Sequence, residues 1–326
     1  MNEINNSPRL LQHIEDYLRH WRTLGRRYRQ EEWLLRVVLR DLQALGYDEL
    51  TFSTYTLWFE SRSNRHPNSR RKWAQILRHF CIFRRRWDPE CFLPGTEQVC
   101  NKRPYVTPVI VNGKDIVLLL QAADALKPGR RSPLRAAMMR IAIVLLYTTG
   151  IRLGELQRLL LSDIETEDNG TLLRIRESKF QKTRLVPLSA TTQEELKNFL
   201  LFRASAGFSI AASSALLAAH PIKTEGYSIP GLQAGIMLLF RSVFNTDTGY
   251  SRCPRIHDLR HSFAIQVLTQ AYNRGEDVQV LLPKLSMYMG HVSIESTTYY
   301  LQWREEIGEF ASKRFASLYA DVISRR

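Results

Sequence analysis

Residues 88–108 carry Pro89, Pro94, Gly95, Pro104 and Pro108 and few apolar runs. Proline lacks an amide donor and fixes φ, so this density resists helix and favours an extended connector. The connector divides a chain of 326 residues into two blocks, 1–87 and 109–326, each long enough to bury a core of its own.

The first block has helical punctuation throughout. Ser7-Pro8 opens a helix as a cap followed by proline, and Gly25 closes it. Within it Leu10, Ile14, Tyr17, Leu18 and Trp21 recur at helical spacing. A second helix is expected over 30–45, carrying Trp33, Leu34, Val37, Val38 and Leu42, with Gly46 after its end. A third follows Thr51, with Tyr55, Leu57, Trp58 and Phe59. A fourth starts near Asn68 and carries Trp73, Ile76, Leu77, Phe80 and Phe83.

The second block opens with apolar helices over 114–127 and 132–148, broken by Gly150 and resumed over 154–162. Residues 171–176 and 183–188 read as strands, with Ser178-Lys179-Phe-Gln-Lys182 as their turn. A helix is expected over 190–203. Residues 204–250 have weak patterning with Gly and Pro interruptions and yield no element. Helices resume over 257–272, 278–289 and 294–302, and an amphipathic tail helix runs over about 305–323 with Phe310, Phe315, Leu318, Tyr319 and Ile323 as its stripe. That tail docks on its own domain or on a neighbouring copy; periodicity does not separate the two. The fold class is therefore mainly α with a small antiparallel β-sheet, in two domains.

Charge narrows the partner. Lys and Arg number 46 against 32 Asp and Glu, a net charge of +14, and so basic a chain usually meets a polyanion. Residues 1–107 hold 19 of those basic residues, 17 of them arginine, which suits phosphate forks. Arg62, Arg65, Arg70, Arg71, Lys72, Arg84, Arg85 and Arg86 bracket the fourth helix. Any one of them is most simply a solvated side chain; as a group they are candidate contacts to a DNA backbone. Four cysteines without a CxxC pair suggest neither a zinc site nor a disulfide framework. No apolar run approaches a membrane span and the start does not read as a secretory signal, so the cytoplasm is the expected compartment.

Breaking a DNA backbone bond without a metal needs a nucleophile, neutralisation of the phosphoryl oxygens and a proton for the leaving 5′ oxygen. A tyrosine can attack and store the bond as an ester, arginine forks can hold the oxygens, and a lysine or histidine can act as the acid. The chain offers Thr149-Gly-Ile-Arg152-Leu-Gly-Glu155-Leu, then Ser178-Lys179 through Leu188, then His257-Asp-Leu-Arg260-His261-Ser-Phe-Ala, then Gly290-His291 through Tyr300. His257 and His261, four apart, share a helix face as in zinc helices, but Asp258 occupies the second position and Arg260 would repel a cation.

These four motifs, in this order, resemble those of the tyrosine recombinases, the family of lambda-type integrases, Cre and the Xer recombinases. The resemblance spans residues 150–300. It implies that Arg152 and Arg260 hold the scissile phosphate, that Lys179 protonates the 5′ hydroxyl, and that His257 assists proton transfer. It further implies that His291 bonds the phosphate, that Tyr300 attacks to give a 3′-phosphotyrosine, and that Glu155 supports the site. Lys182 and Arg184 compete with Lys179, and register against the Val186-Pro-Leu strand favours Lys179; the nine-residue offset from His291 selects Tyr300 over Tyr299. His261 reads as a packing or helix-surface residue.

By the same resemblance, the first block is a helical, SAM-like core-binding domain and the second a catalytic domain. Together they form a C-shaped clamp on double-stranded DNA, and four copies on two sites exchange strands through a Holliday junction. No cofactor, metal or membrane is expected; accessory proteins are possible partners. Residues 273–277 look like a small insertion, and Leu-Ser-Met-Tyr-Met leads into Gly-His in place of the commoner short apolar run. Both set the chain apart from a subfamily such as the chromosomal Xer enzymes, and the resemblance implies a transposon or genomic-island recombinase, a mobile-element enzyme. The rival functions are type IB topoisomerase-like relaxation and a catalytically silent DNA-binding regulator.

Overall fold

The structure is a computed structural model describing residues 9–95, 106–130, 132–168, 170–176, 183–244, 250 and 252–290. The strand turn carrying Lys179, the segment with His291 and Tyr300, and the tail helix over about 305–323 lie outside the described residues. The chain forms two compact units, Met1–Val106 and Thr107–Arg326.

The first unit holds four helices: α1 (Arg9–Thr23), α2 (Arg29–Ala44), α3 (Phe52–Glu60) and α4 (Pro67–Arg84). The punctuation acts as elementary capping requires. The Thr51 side chain accepts from the amide of Thr54 at the start of α3, Pro67 occupies the first turn of α4, and Gly25 follows α1 at φ 76°. The apolar stripes meet in one core of Leu10, Ile14, Tyr17, Leu34, Trp58, Leu77 and Phe80. Tyr17 sits at its centre, edge-on to Phe80 and Phe83 at 5.5 and 5.2 Å.

The second unit is mainly helical with one small antiparallel sheet. It comprises α5 (Gly113–Asp124), α6 (Arg135–Thr149), α7 (Leu153–Arg158), β1 (Ile164–Glu167), β2 (Gly170–Ile175), β3 (Arg184–Pro187), α8 (Ala190–Ser205), α9 (Ile229–Val243), α10 (Ile256–Asn273) and α11 (Val278–Met289). The sheet order is β1-β2-β3, with Leu173 opposite both Ile164 and Val186. Helix α6 is apolar nearly all round, and Met138, Met139, Ile141, Ala142, Ile143 and Leu145 are all buried. A helix with that pattern must be enclosed, and α5, α8, α9 and α10 surround it.

Two elements escaped the sequence reading. Strand β1 is only four residues, Ile-Glu-Thr-Glu, too short to show alternation. Helix α9 lies in the stretch that yielded no element. Its Pro230 and Gly231 look like interruptions, but the proline stands in the first turn, where no amide partner is lost, and Ser228 caps the helix by accepting from the amide of Gly231 at 3.2 Å.

Candidate active site

Two helix starts in the second unit are built alike. Arg152 precedes α7, and the carboxylate of Glu155, three residues on, accepts from the Arg152 backbone amide at 2.9 Å. Arg255 precedes α10, and Asp258, again three on, accepts from the Arg255 amide at 2.9 Å. Each acid satisfies an amide that the helix leaves without an internal partner. Each also holds arginine side chains: Asp258, wholly buried, takes Arg252 at 2.9 Å and Arg255 at 2.8 Å. These starts place Arg152 at the mouth of one helix and His257 and Arg260 in the opening turns of the other.

The three side chains face a common cavity of about 510 Å³. Arg255 and Ile256 line it beside them, and α9 closes it with Gln233, Met237 and Arg241, spaced four residues apart on one helix face. Arg260 is 2 % exposed. Its Nη1 donates to the carbonyl of Gly150 at 2.5 Å and its Nη2 to that of Met289.

A single helix end collects three arginines. Arg184 Nε donates to the carbonyl of Tyr288 at 2.7 Å, Arg260 to that of Met289, and Arg152 Nη2 to that of Gly290 at 2.9 Å. The last carbonyls of a helix lack intrahelical donors and carry the negative end of its dipole, so cations suit them on both counts. Gly290 itself takes φ 64° to end α11.

Glu155 is the counter-charge beneath this arrangement, its side chain 2 % exposed. It receives Arg184 on both oxygens, at 3.1 and 2.8 Å, and the Arg152 guanidinium at 2.8 Å. Burial alone would raise its pKa; the hydrogen bonds from Arg184 and Arg152 outweigh burial and hold it at about 2. His257 presents an exposed face, yet desolvation and the charges of Arg260 and Arg152 push its pKa below the usual 6.5. His261, its ring edge-on to His257 at 4.8 Å, is driven to about 4 by burial and then by His257.

Of the residues expected from sequence, the structure brings together Arg152, Glu155, His257 and Arg260; Lys179, His291 and Tyr300 lie outside the described residues. Arg184, a rival to Lys179 in the sequence, is committed to Glu155 and Tyr288. Arg252 and Arg255 were not singled out. The signal for Arg255 was present, since Arg255 and Asp258 repeat the three-residue spacing of Arg152 and Glu155. Arg241 had none, because its helix was unread.

In the first unit the arginine group needs a correction. Arg84 is 2 % exposed and forks onto Glu49 at 2.6 and 3.0 Å, so it is an internal tie and not a phosphate contact. Burial of the α4 face forces it to find a carboxylate there. Arg62 pairs with Asp41 and lies 5.2 Å from the Trp58 ring centre, Arg70 lies 4.3 Å from that of Phe59, and Arg86 lies 5.2 Å from that of Phe83. Lys72 donates to Gln30 and Arg85 to the Cys91 carbonyl at 3.1 Å. Arg65 is exposed and Arg71 half-buried.

Comparison with known proteins extends these observations. The Phage integrase family matches residues 111–306. The integrase/recombinase-type proteins y4rE and y4rB of Sinorhizobium fredii are 31% and 30% identical over 92% and 95% of this chain, covering 94% and 98% of their own lengths. The tyrosine recombinase XerC of Listeria welshimeri is 29% identical over 51% of the chain and 50% of its own. Among solved structures, XerH recombinase bound to its difH substrate has a TM-score of 0.61 at 16% identity, covering 86% of this chain and 77% of that one. The Tn1549 transposon integrase in complex with transposon end DNA has a TM-score of 0.60 at 14% identity, over 89% and 94%. The structural likenesses establish the fold, and the sequence match and full-length relatives establish the lineage: this chain belongs to the phage integrase family, the tyrosine recombinases.

Proposed function

We propose that the protein cuts and rejoins double-stranded DNA at a specific site through a 3′-phosphotyrosyl intermediate. The observation that carries this reading is the convergence of Arg152, His257 and Arg260 on one cavity, with both arginines tied to the carbonyls that immediately precede His291. Two guanidinium groups held by protein acceptors are pre-aimed cations for a scissile phosphate, which removes reorganisation from the barrier.

In this reading the Tyr300 hydroxyl attacks phosphorus, and its proton passes to His257, whose depressed pKa keeps it neutral at pH 7 and able to accept. Arg152, Arg260 and His291 hold the non-bridging oxygens, and Lys179 protonates the departing 5′ oxygen. The phosphotyrosyl bond conserves the energy of the broken one, so a second 5′ hydroxyl can reverse the step. Glu155 keeps Arg152 in place and does not react.

Arg241 and Arg255, on the cavity wall, suit phosphates flanking the scissile one. The core-binding unit, with Arg65 and Arg71 beside α4, would add contacts to the backbone of the same duplex. Four copies on two sites would carry out integration or excision of a mobile element in the cytoplasm. The experiment is covalent trapping on a nicked duplex bearing the end of the element that encodes the chain. A protease-sensitive 3′ adduct lost in Tyr300→Phe and kept in Tyr299→Phe supports the reading. An adduct surviving Tyr300→Phe overturns the nucleophile. No adduct, with supercoiled plasmid relaxed or merely bound, moves the chain to a topoisomerase or to a silent regulator.

A further inference from the structure

Arg184 makes contacts that its place on an edge strand does not require. It stands on β3 one residue after the described chain resumes, facing Ile175 across the ladder. Its guanidinium spans two elements that are otherwise far apart in sequence, Glu155 of α7 and the Tyr288 carbonyl at the end of α11. A Cβ at Gly290 would come within 3.1 Å of its Nη1, so the guanidinium also packs on the residue that terminates α11. Its side chain is 12 % exposed, too enclosed to serve as a surface charge.

We infer that Arg184 is a positioning residue that orients Arg152, through Glu155, toward the scissile phosphate. The inference rests on the reading that this cavity cleaves DNA. Glu155 has two oxygens and several donors. Arg184 takes one N–H to each oxygen, which fixes the carboxylate plane, and the fixed carboxylate leaves Arg152 one direction from which to donate. By tying Tyr288 to the same carboxylate, Arg184 also sets the height of the Gly290 carbonyl that accepts from Arg152. One fork thereby aligns an arginine and the helix end that leads into His291. A lysine cannot replace it, since a single ammonium cannot hold both oxygens and the carbonyl in one plane.

The test compares Arg184→Lys with the unmodified chain for thermal melting, affinity for the nicked duplex and rate of adduct formation. Melting should fall by a few degrees, since the lysine does not restore both bonds to Glu155. Affinity should stay near that of the unmodified chain while adduct formation slows about 10- to 100-fold, the scale of a misaimed catalytic group. On a duplex whose scissile phosphate is a neutral methylphosphonate, the clamp has less charge to hold, and the deficit should largely disappear. In an Arg152→Ala background, Arg184→Lys should add no further loss. A deficit that persists undiminished on methylphosphonate DNA, or that multiplies in full with Arg152→Ala, overturns the inference. If Arg184→Lys fails to fold, Arg184→Met with Glu155→Gln removes both buried charges together, and the same methylphosphonate comparison decides. No adduct from the unmodified chain removes the cleavage reading and this inference with it.

Discussion

The guanidinium of Arg152 donates to the carbonyl of Gly290 over 2.9 Å, although the two residues stand 138 positions apart in the chain. Gly290 is the left-handed residue that ends α11, and His291 follows it directly. The arginine assigned to the phosphate therefore also fixes where the chain departs toward the proposed nucleophile. The residue that anchors Arg152 thus directly precedes, in the sequence, the segment that carries the proposed nucleophile.

Glu155 should make the fold acid-labile. Its folded pKa of about 2 lies below the unfolded value of 4.5, so its contribution is present above pH 4.5 and is lost as pH falls through that window toward 2. The separation corresponds to about 3 kcal/mol at most. Chemical unfolding at pH 7 and pH 3 should show this loss, and Glu155→Gln should flatten it. An unchanged pH slope in the variant would mean that the carboxylate is not held by its arginines.

His261 has the opposite dependence on charge. Its folded pKa of about 4 is below the ordinary 6.5, so the neutral ring is favoured by folding, and stability falls as pH drops from 6.5 toward 4. At pH 5 the loss is about 2 kcal/mol, and His257, shifted the same way, adds to it. His261→Phe should be less destabilised than the unmodified chain between pH 7 and pH 5, as read by urea unfolding. Equal losses in both would assign the slope elsewhere.

Gly150→Ala should be costly twice over. Gly150 has φ 62°, and a Cβ there would come 2.5 Å from Phe263 Cδ1. Strain and overpacking together should cost about 2–4 kcal/mol, seen as a lower melting temperature. Because the Gly150 carbonyl accepts from Arg260, adduct formation should fall as well, even where the variant remains folded.

Arg84 and Arg65 should separate stability from binding. Arg84→Ala removes a buried side chain and its fork onto Glu49, whose carboxylate stays within reach of water, and should destabilise the first unit by about 1–3 kcal/mol. Arg65→Ala, at an exposed position, should leave melting unchanged and weaken DNA binding, with a salt dependence reduced by about one phosphate contact. A melting loss in Arg65→Ala, or a full binding loss in folded Arg84→Ala, would reverse the assignment.

Legibility followed the range of the forces involved. The helices of the first unit were readable because Thr, Pro and Gly at their ends and the apolar spacing act within a few residues. Helix α10 was readable from its motif, and the register of β2 with β3 follows the buried Leu173 and Val186. Helix α9 was not, because Pro230 and Gly231 obscure a start that only the Ser228 cap and the packing against α5 and α7 make clear. Arg84 was misread because a basic cluster does not reveal which of its members faces inward.

By itself the sequence determined most of the helices, strands β2 and β3 and the candidate side chains for acting on a phosphodiester, since residue chemistry and local periodicity are properties of short stretches. Tertiary structure alone decided that Arg152, Arg184 and Arg260 meet at the end of α11. Their acceptors there are backbone carbonyls, and every residue has one, so nothing in the residue types of Tyr288, Met289 and Gly290 marks them as partners. Only the packing of α10 against α6 on one side and α11 on the other, with α7 against α6, brings those carbonyls within reach of guanidinium groups more than a hundred residues away for Arg152 and Arg184.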